Sequence, residues 1–244
     1  MITWGISAAS HNAALAVFKD DNLIFASESE RFSGVKNDPD LNKELVDHAR
    51  TFGEPDLVCW YERPWLKTLR QLTAGQGWQD NNVKNYLRKF NIRTPVKTFK
   101  HHQTHAAAGY YTSGFNEACV LVIDAIGEFE TITIWGAGYD KLGHATYKKL
   151  WQQNYPHSIG LFYSAATGSV GLRPLDEEYI LMGMAAYGEP THVKQMMTEL
   201  VDIKDILTFK QNLHTGVSKD FLKDADLMDI ASSSQHLVEY MITR

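Results

Sequence analysis

Short runs of apolar residues, separated by turn-forming polar residues, open the chain. ITWGIS, AALAVFKD and NLIFASES fall within residues 2–28, and the turn signal Asp20-Asp21-Asn22 stands between the last two. Runs of this length and composition are typical of β-strands. The pattern therefore predicts an antiparallel meander.

A helical pattern and a further strand follow this meander. Residues 41–52, LNKELVDHARTF, place apolar side chains on one helical face, and DLVCWY then returns as a buried strand. Two amphipathic stretches separated by GQGWQD occupy residues 64–92, so we expect a helical insertion at about residues 62–93. Strand, helix and strand in succession favour the α/β fold class.

The same order of elements begins again near residue 118. CVLVIDAIGE predicts a buried strand that ends in polar residues, ETITIWGAG and HATYKKLW predict two more, and helical patterns follow from residue 159. We therefore expect two lobes, residues 1–115 and 116–244, each opened by a β-meander. This duplicated layout resembles the actin and sugar-kinase (ASKHA) superfamily.

Composition excludes several classes of protein. Lys and Arg number 24 against 29 Asp and Glu, a net charge of -5, which argues against a broad nucleic-acid surface but leaves room for a local phosphate pocket. No apolar stretch approaches the roughly 18 residues that span a bilayer. Cys59 and Cys119 stand in apolar runs, where we expect buried thiols and no disulfide framework. These features predict a cytoplasmic protein without a membrane segment.

The strongest chemical signal is the run His101-His102-Gln103-Thr104-His105. If this run is helical, His101 and His105 share one face and can chelate a metal through two imidazoles. His102 points about 100 degrees away from His101, so it cannot bind the same metal ion from this helix. We expect it to contact one of the metal-binding side chains or the substrate instead. The alternative is that the histidines only cap or pack the helix, and their spacing leaves both interpretations open.

A third metal ligand is suggested by Asp124, which follows four apolar residues in VLVIDAIGE. We expect this residue at the C-terminal edge of a central strand, where open α/β sheets bind their ligands. The alternative is a plain turn-forming aspartate. Two histidines and one carboxylate suit Fe(II) with open positions, or zinc or another divalent transition metal.

Three other segments carry candidate chemistry. His11 stands between the first two strands among small residues, where it could act as a general base or be an exposed turn residue. Arg31 and Lys36 could bind an anionic donor or form a solvated strand edge. Gly183, in EEYILMGMAAYGEP, offers a small-residue surface on which a helix or a nucleotide can pack.

In order and spacing, these motifs resemble the O-carbamoyltransferases that act on nodulation factors and antibiotics. A related domain occurs in the tRNA threonylcarbamoyl-adenosine enzyme. The shared motifs are GIS…HN…AA (5–14), ERF…K (30–36), HHxxHAA (101–107), DxxGE (124–128), PHSxGLxYSAxT (156–167) and ExxxMGxAxYG (178–188). They extend across nearly the whole chain.

The resemblance implies that His101, His105 and Asp124 bind a catalytic iron and that His11 acts in carbamoyl transfer. Family members make a carbamoyl-adenylate from ATP and carbamoyl phosphate in a C-terminal domain, and the N-terminal domain passes the carbamoyl group to an alcohol. Donor or nucleotide contacts are then expected from Arg31, Lys36, Gly127, Glu128, Glu178 and Gly183.

The sequence also departs from the family. Asn12, Ala125 and Ile180 stand where many members have Asp, Gly and Lys, and the 244 residues contain neither the later glycine-rich strand, nor a further Asp ligand, nor the adenylating domain. We therefore expect a catalytic part that is inactive alone, with its other half on a separate chain or with self-association into a homo-oligomer. The alternatives are an inactive metal- or nucleotide-binding module and a hydrolase, although the HExxH glutamate of metalloproteases is missing.

Overall fold

The computed structural model describes residues 1–10, 12–73, 75, 77–202 and 204–243. The chain divides into two compact units, Met1–His105 and Ala106–Arg244. Each contains its own sheet and its own hydrophobic core. Mixed α/β composition, as the sequence predicts, is confirmed in both.

The first unit is built on a five-stranded sheet in the order β3-β2-β1-β4-β5. Strands β1 to β3 form the predicted antiparallel meander, and β4 and β5 add to it in parallel. The strands are β1 (Ile2–Ser7), β2 (Ala14–Lys19), β3 (Asn22–Glu28), β4 (Leu57–Trp60) and β5 (Val96–Thr98). Strand β5 was not expected, because three residues are too few to show a period.

Helices of the first unit cover this sheet and connect its strands. They are α1 (Glu30–Ser33), α2 (Lys43–Arg50), α3 (Pro64–Thr73), α4 (Val83–Arg88) and the start of α5 (His101–Ser113). Helix α2 buries Leu45 and Ala49, and the side chain of Asn42 caps it by accepting from the Leu45 amide. Helices α3 and α4 lie in the segment where the sequence predicts a helical insertion, with GQGWQD between them.

The second unit contains an antiparallel sheet in the order β6-β7-β8. Its strands are β6 (Glu117–Gly127), β7 (Glu130–Tyr139) and β8 (Ala145–Asn154), and they lie in the segments where the sequence predicts three strands. Strand β6 lies at an edge of this sheet and is not fully buried: Leu121 is 49% exposed. The expectation of two buried thiols is also wrong, since Cys119 on the edge strand β6 is exposed and Cys59 on β4 is half-buried.

Helices pack on one another in the rest of the second unit. They are α6 (Ile159–Ser169), α7 (Glu178–Met184), α8 (Val193–Leu200) and α9 (Leu227–Ile242), with Phe162, Leu181 and Leu237 buried in their common core. The expectation of helices alone after residue 159 is wrong at one place, where β9 (Val201–Asp202) and β10 (Asp205–Phe209) pair antiparallel. Among the described residues, no helix has both the length and the apolar character needed to cross a bilayer.

Candidate functional site

The predicted histidine helix exists and is anchored at its start. Helix α5 begins at His101, directly after β5 and a two-residue link. The Thr104 hydroxyl donates to the backbone carbonyl of Tyr61, 3.0 Å away, and the Tyr61 ring meets the His101 ring edge-on at 5.4 Å. These contacts fix the first turn of α5 against the end of β4.

His101 and His105 face the same side of α5. Their Nε2 atoms are 3.0 Å apart, with His101 half-buried and His105 exposed. At metal–nitrogen distances of about 2.0–2.1 Å, two imidazoles bound to one ion at right or tetrahedral angles place their nitrogens about 2.9–3.4 Å apart. The spacing therefore fits a shared ion, and it also fits an N–H···N hydrogen bond between two neutral rings.

Asp124 lies near the end of β6, in a stretch where the pairing with β7 is irregular. The ladder runs to Ile123 and resumes only at Gly127. The Asp124 Oδ1 accepts from the Ala125 amide at 2.7 Å, and its backbone carbonyl accepts from the Ser158 hydroxyl. The expectation of a central strand is wrong, because β6 is an edge strand of the three-stranded sheet.

Helix α5 spans the boundary between the two units, so its residues from Ala106 onward belong to the second unit. Ala106 is fully buried in a cluster with Val122 and Trp135, and Val122 precedes Asp124 by two residues on β6. One ligand atom from each of His101, His105 and Asp124 lies within 4.8 Å of the other two. The three residues that the sequence singled out as metal ligands are thus neighbours.

His102 occupies a different position on the same helix. Its side chain has no exposed surface, and its ring centre lies 6.2 Å from that of His101 and 6.5 Å from that of His105. The His102 ring is therefore buried, whereas His101 is half-buried and His105 is exposed, which fits its different angular position on the helix.

Comparison with known proteins gives the family. The family model described as Carbamoyltransferase N-terminus matches residues 60–236, more than half of the chain. This chain belongs to the carbamoyltransferase family. It is 30% identical over 98% of its length to the uncharacterized protein sll1178 of Synechocystis, and 24% identical over 80% of its length to the nodulation protein NolNO of Sinorhizobium fredii.

The chain spans less than half of these curated relatives, 47% of the first and 30% of the second. Among solved structures, YeaZ from Pseudomonas aeruginosa is similar over 64% of this chain and 68% of its own, with 11% identity and a TM-score of 0.38. A TM-score at this level carries no argument about the fold. The assignment to the carbamoyltransferase family therefore rests on the sequence comparisons.

The ERF…K motif of this carbamoyltransferase chain closes a small loop around Glu30. The Glu30 carboxylate accepts from the Asn37 amide at 3.0 Å, and Arg31 and Lys36 pair with it at 3.6 Å and 3.4 Å. The hydrogen bond from the Asn37 N–H is the main reason that the pKa of Glu30 lies below its usual range. The positive charge of Lys36 lowers this pKa further. Both cations are about 70% exposed, which suits a structural loop and leaves their guanidinium and ammonium groups accessible to an anion.

His11 lies outside the described residues. Among the described residues, Lys67 and Glu62 form an ion pair that the sequence did not reveal. Lys67 donates to Glu62 at 2.9 Å and to the backbone carbonyl of Ala9 at 3.2 Å, and the side chains of both Lys67 and Glu62 are largely buried. Ala9 and Asn12 both have positive φ angles. Glu and Lys five residues apart near the start of a helix are usual in exposed segments as well. The sequence alone therefore does not show that this pair is buried.

The remaining family positions lie in the second unit. The Glu178 Oε1 atom accepts from the Ser164 hydroxyl and from the Leu175 amide, so this carboxylate holds the start of α7. Ser164 and Leu175 line a cavity of about 480 Å³ next to it. Glu128 is buried with a φ of 62°, and Gly127 pairs with Glu130 across the β6–β7 turn.

Gly183 does not have the packing role that its small-residue context indicated. A Cβ added there would meet no atom within 4 Å, whereas one added at Gly188 would lie 2.1 Å from the Met228 carbonyl. The close approach of backbones in this motif is therefore at Gly188, where the chain passes the start of α9. The surface at Gly183 remains open.

Proposed function

We propose that this chain is the transferase part of an O-carbamoyltransferase. It moves a carbamoyl group from carbamoyl-adenylate, made from ATP and carbamoyl phosphate, to a hydroxyl of a small-molecule or nucleotide acceptor. Family membership supports the reaction class, and the observation that carries the proposal is the grouping of His101, His105 and Asp124.

The proposed cofactor is ferrous iron or another divalent transition metal. The donor set of two imidazoles and one carboxylate fits it, since this combination with open positions is typical of non-haem Fe(II) centres. The 3.0 Å separation of the two Nε2 atoms fits two ligands of one ion. When bound, the metal would act as a Lewis acid on the carbamoyl carbonyl.

The residues of the chain would supply positioning and proton transfer. His11 would take the proton of the acceptor hydroxyl, whose oxygen then forms a bond to the carbamoyl carbon while the bond from that carbon to the phosphate oxygen of the adenylate breaks and AMP leaves. Lys67 would hold the loop that carries His11 through its contact with the Ala9 carbonyl. Arg31 and Lys36 are accessible to the anionic donor, and Gly127, Glu128, Glu178 and Gly183 stay candidates for nucleotide contact.

A second candidate is a module that binds the metal or the nucleotide and acts only together with a partner chain. It is supported by the same group of three residues, because His101, His105 and Asp124 can hold a metal whether or not the chain catalyses transfer. In that case this chain would hold the metal, and the carbamoyl-adenylate would be made on another chain.

One experiment separates the two candidates. The chain is incubated anaerobically with Fe(II), ATP, carbamoyl phosphate and a panel of alcohols, with and without a longer family member whose own histidine pair has been replaced, as a source of carbamoyl-adenylate. We expect carbamoylated product by mass spectrometry when the donor source is present, and none with His105→Ala. If the metal-loaded chain yields no product even with the donor source, the binding module replaces the transferase.

A further inference from the structure

A cavity in the first unit lies apart from the histidine pair. It has a volume of about 640 Å³ and lies between α4 and the start of β5. Its lining combines three cationic residues, Lys84, Arg88 and Arg93, with the aliphatic residues Leu87 and Ile92 and with residues 94–96. No acidic residue lines it in the described part of the chain.

The charge around this cavity differs from that of the rest of the chain. Residues 83–100, VKNYLRKFNIRTPVKTFK, contain six of the 24 Lys and Arg residues and none of the 29 Asp and Glu residues. The whole chain carries a net charge of -5, so the remainder is acidic. A concentration of one sign of charge around a concave surface raises the local potential for a ligand of the opposite sign.

The three cations are placed to act together. Lys84 and Arg88 are four residues apart on α4 and so lie on the same side of that helix, and Arg93 follows in the loop to β5. All three are exposed, and none of them forms an ion pair with a carboxylate in the described part of the chain. The Arg88 guanidinium donates to the neutral Asn85 side chain at 3.2 Å.

The floor of the cavity is rigid and apolar. Leu87 and Ile92 are almost fully buried in the core of the first unit, and Thr94 is held by its hydroxyl, which donates to the Pro55 carbonyl at 3.0 Å. The cationic side chains therefore project from a fixed base. A ligand with an organic body as well as charge can contact both parts of such a surface.

We propose that this cavity binds a small molecule that carries a di- or triphosphate group. Three cations exceed what one phosphate needs, and guanidinium groups form paired hydrogen bonds with phosphate oxygens while an ammonium contributes a point charge. A polynucleotide fits less well, because its long row of phosphates needs cations beyond one segment of an otherwise acidic chain. The ligand is therefore compact.

This site is separate from the one in the proposed function. The cavity is at the N-terminal end of β5, whereas His101 follows the C-terminal end of the same strand. The two sites are thus at opposite ends of β5, and occupancy of the cavity does not require the metal. The proposal stands even if the transferase assignment fails.

The test is calorimetric titration of the full chain with sodium tripolyphosphate at fixed ionic strength. We expect the wild type to bind tripolyphosphate. The double variant Arg88→Gln, Arg93→Gln should bind it with an affinity at least about tenfold lower, because each substitution removes a charge-assisted hydrogen bond to the ligand. Lys84→Gln should also weaken binding, whereas Lys19→Gln, an exposed lysine at the end of β2, should not. Thermal melts of each variant establish that it is folded.

Three outcomes would overturn the proposal. The first is no binding by the wild type. The second is an equal loss in Lys19→Gln, which would indicate unspecific attraction. The third is tighter binding of a single-stranded RNA than of tripolyphosphate, lost in the same double variant, which would make the cavity part of a polynucleotide surface. The metal content of the variants should equal that of the wild type throughout.

Discussion

The Nε2 atoms of His101 and His105 lie 3.0 Å apart on consecutive turns of α5. A hydrogen bond between neutral imidazoles and two ligands of one metal ion both fit this distance. The two interpretations differ in what a substitution does. If the two imidazoles bind a metal, replacing one of them releases the ion. If they bind no metal, the substitution removes only one partly exposed hydrogen bond.

We predict that the purified protein binds about one transition metal per chain, and that His105→Ala and Asp124→Asn each lose most of it. Each removes one of three ligands, and the remaining two leave too few protein bonds to retain the ion against buffer. Elemental analysis of dialysed protein measures this. His144→Ala is the matched control, since His144 is an exposed histidine at the β7–β8 turn. Equal metal in wild type and His105→Ala would contradict the site.

The sequence was sufficient to predict much of this fold and the candidate ligands. The meander of β1 to β3 was predicted because each strand is long enough to show its composition and a turn signal separates two of them. The i, i+4 spacing of His101 and His105 placed both on one face before the helix was known. Local pattern and local geometry agree at these positions.

Other features depend on tertiary context that no local pattern carries. Strands β5 and β9 have three and two residues, too short to show a period, and the five residues of β10, DILTF, do not alternate strictly between polar and apolar. Asp124 was predicted on a central strand because the four apolar residues before it suggested a strand buried on both faces. In the structure β6 is an edge strand with an irregular end. The Glu62–Lys67 pair and the need for glycine at position 188 become visible only when distant segments meet.

His11→Asn should reduce carbamoyl transfer by about 10²- to 10⁴-fold, the usual effect of removing a general base. Metal content should be unchanged, because the proposed ligands are other residues, and a melting temperature equal to that of the wild type would show that the variant is folded. Transfer is measured with the donor source of the functional assay, and metal by elemental analysis. Unchanged transfer would exclude His11 as the base, and lost metal would assign it to the metal site instead.

Glu30→Gln should destabilise the protein near neutral pH and not in acid. The Asn37 N–H and Lys36 lower the pKa of Glu30, so the folded state favours its ionised form. This contribution is fully present above the ordinary glutamate pKa of about 4.3 and is lost as the pH falls through the lowered value.

Melting temperatures of wild type and Glu30→Gln should therefore differ at pH 7 and converge as the pH falls through the lowered pKa of Glu30. Glu44→Gln, an exposed glutamate on α2, is the control and should show a smaller difference at pH 7. A gap between wild type and Glu30→Gln that is constant across this range would show that the carboxylate charge does not hold the loop.

Alanine at two glycines of one motif should have opposite effects on stability. At Gly188 the new Cβ would lie 2.1 Å from the Met228 carbonyl, so backbone must move, and we expect a loss of about 3 kcal/mol in the free energy of unfolding. At Gly183, within α7, the Cβ meets nothing and alanine should be neutral or stabilise by up to about 1 kcal/mol. Urea denaturation measures both, and equal effects would contradict the packing at Gly188.

The two cysteines should differ in their reaction with a thiol reagent. Cys119 is exposed on the edge strand β6, whereas Cys59 is half-buried on β4, between β1 and β5. Burial raises the pKa of the Cys59 thiol, so its thiolate, the reactive form, is scarcer as well as less accessible. A disulfide reagent added to native protein at mildly alkaline pH should release one fast equivalent, which Cys119→Ser removes and Cys59→Ser leaves. Both thiols should react fast in guanidinium chloride, because unfolding exposes Cys59. A fast equivalent that persists in native Cys119→Ser would show that β4 is more accessible than its position in the sheet implies.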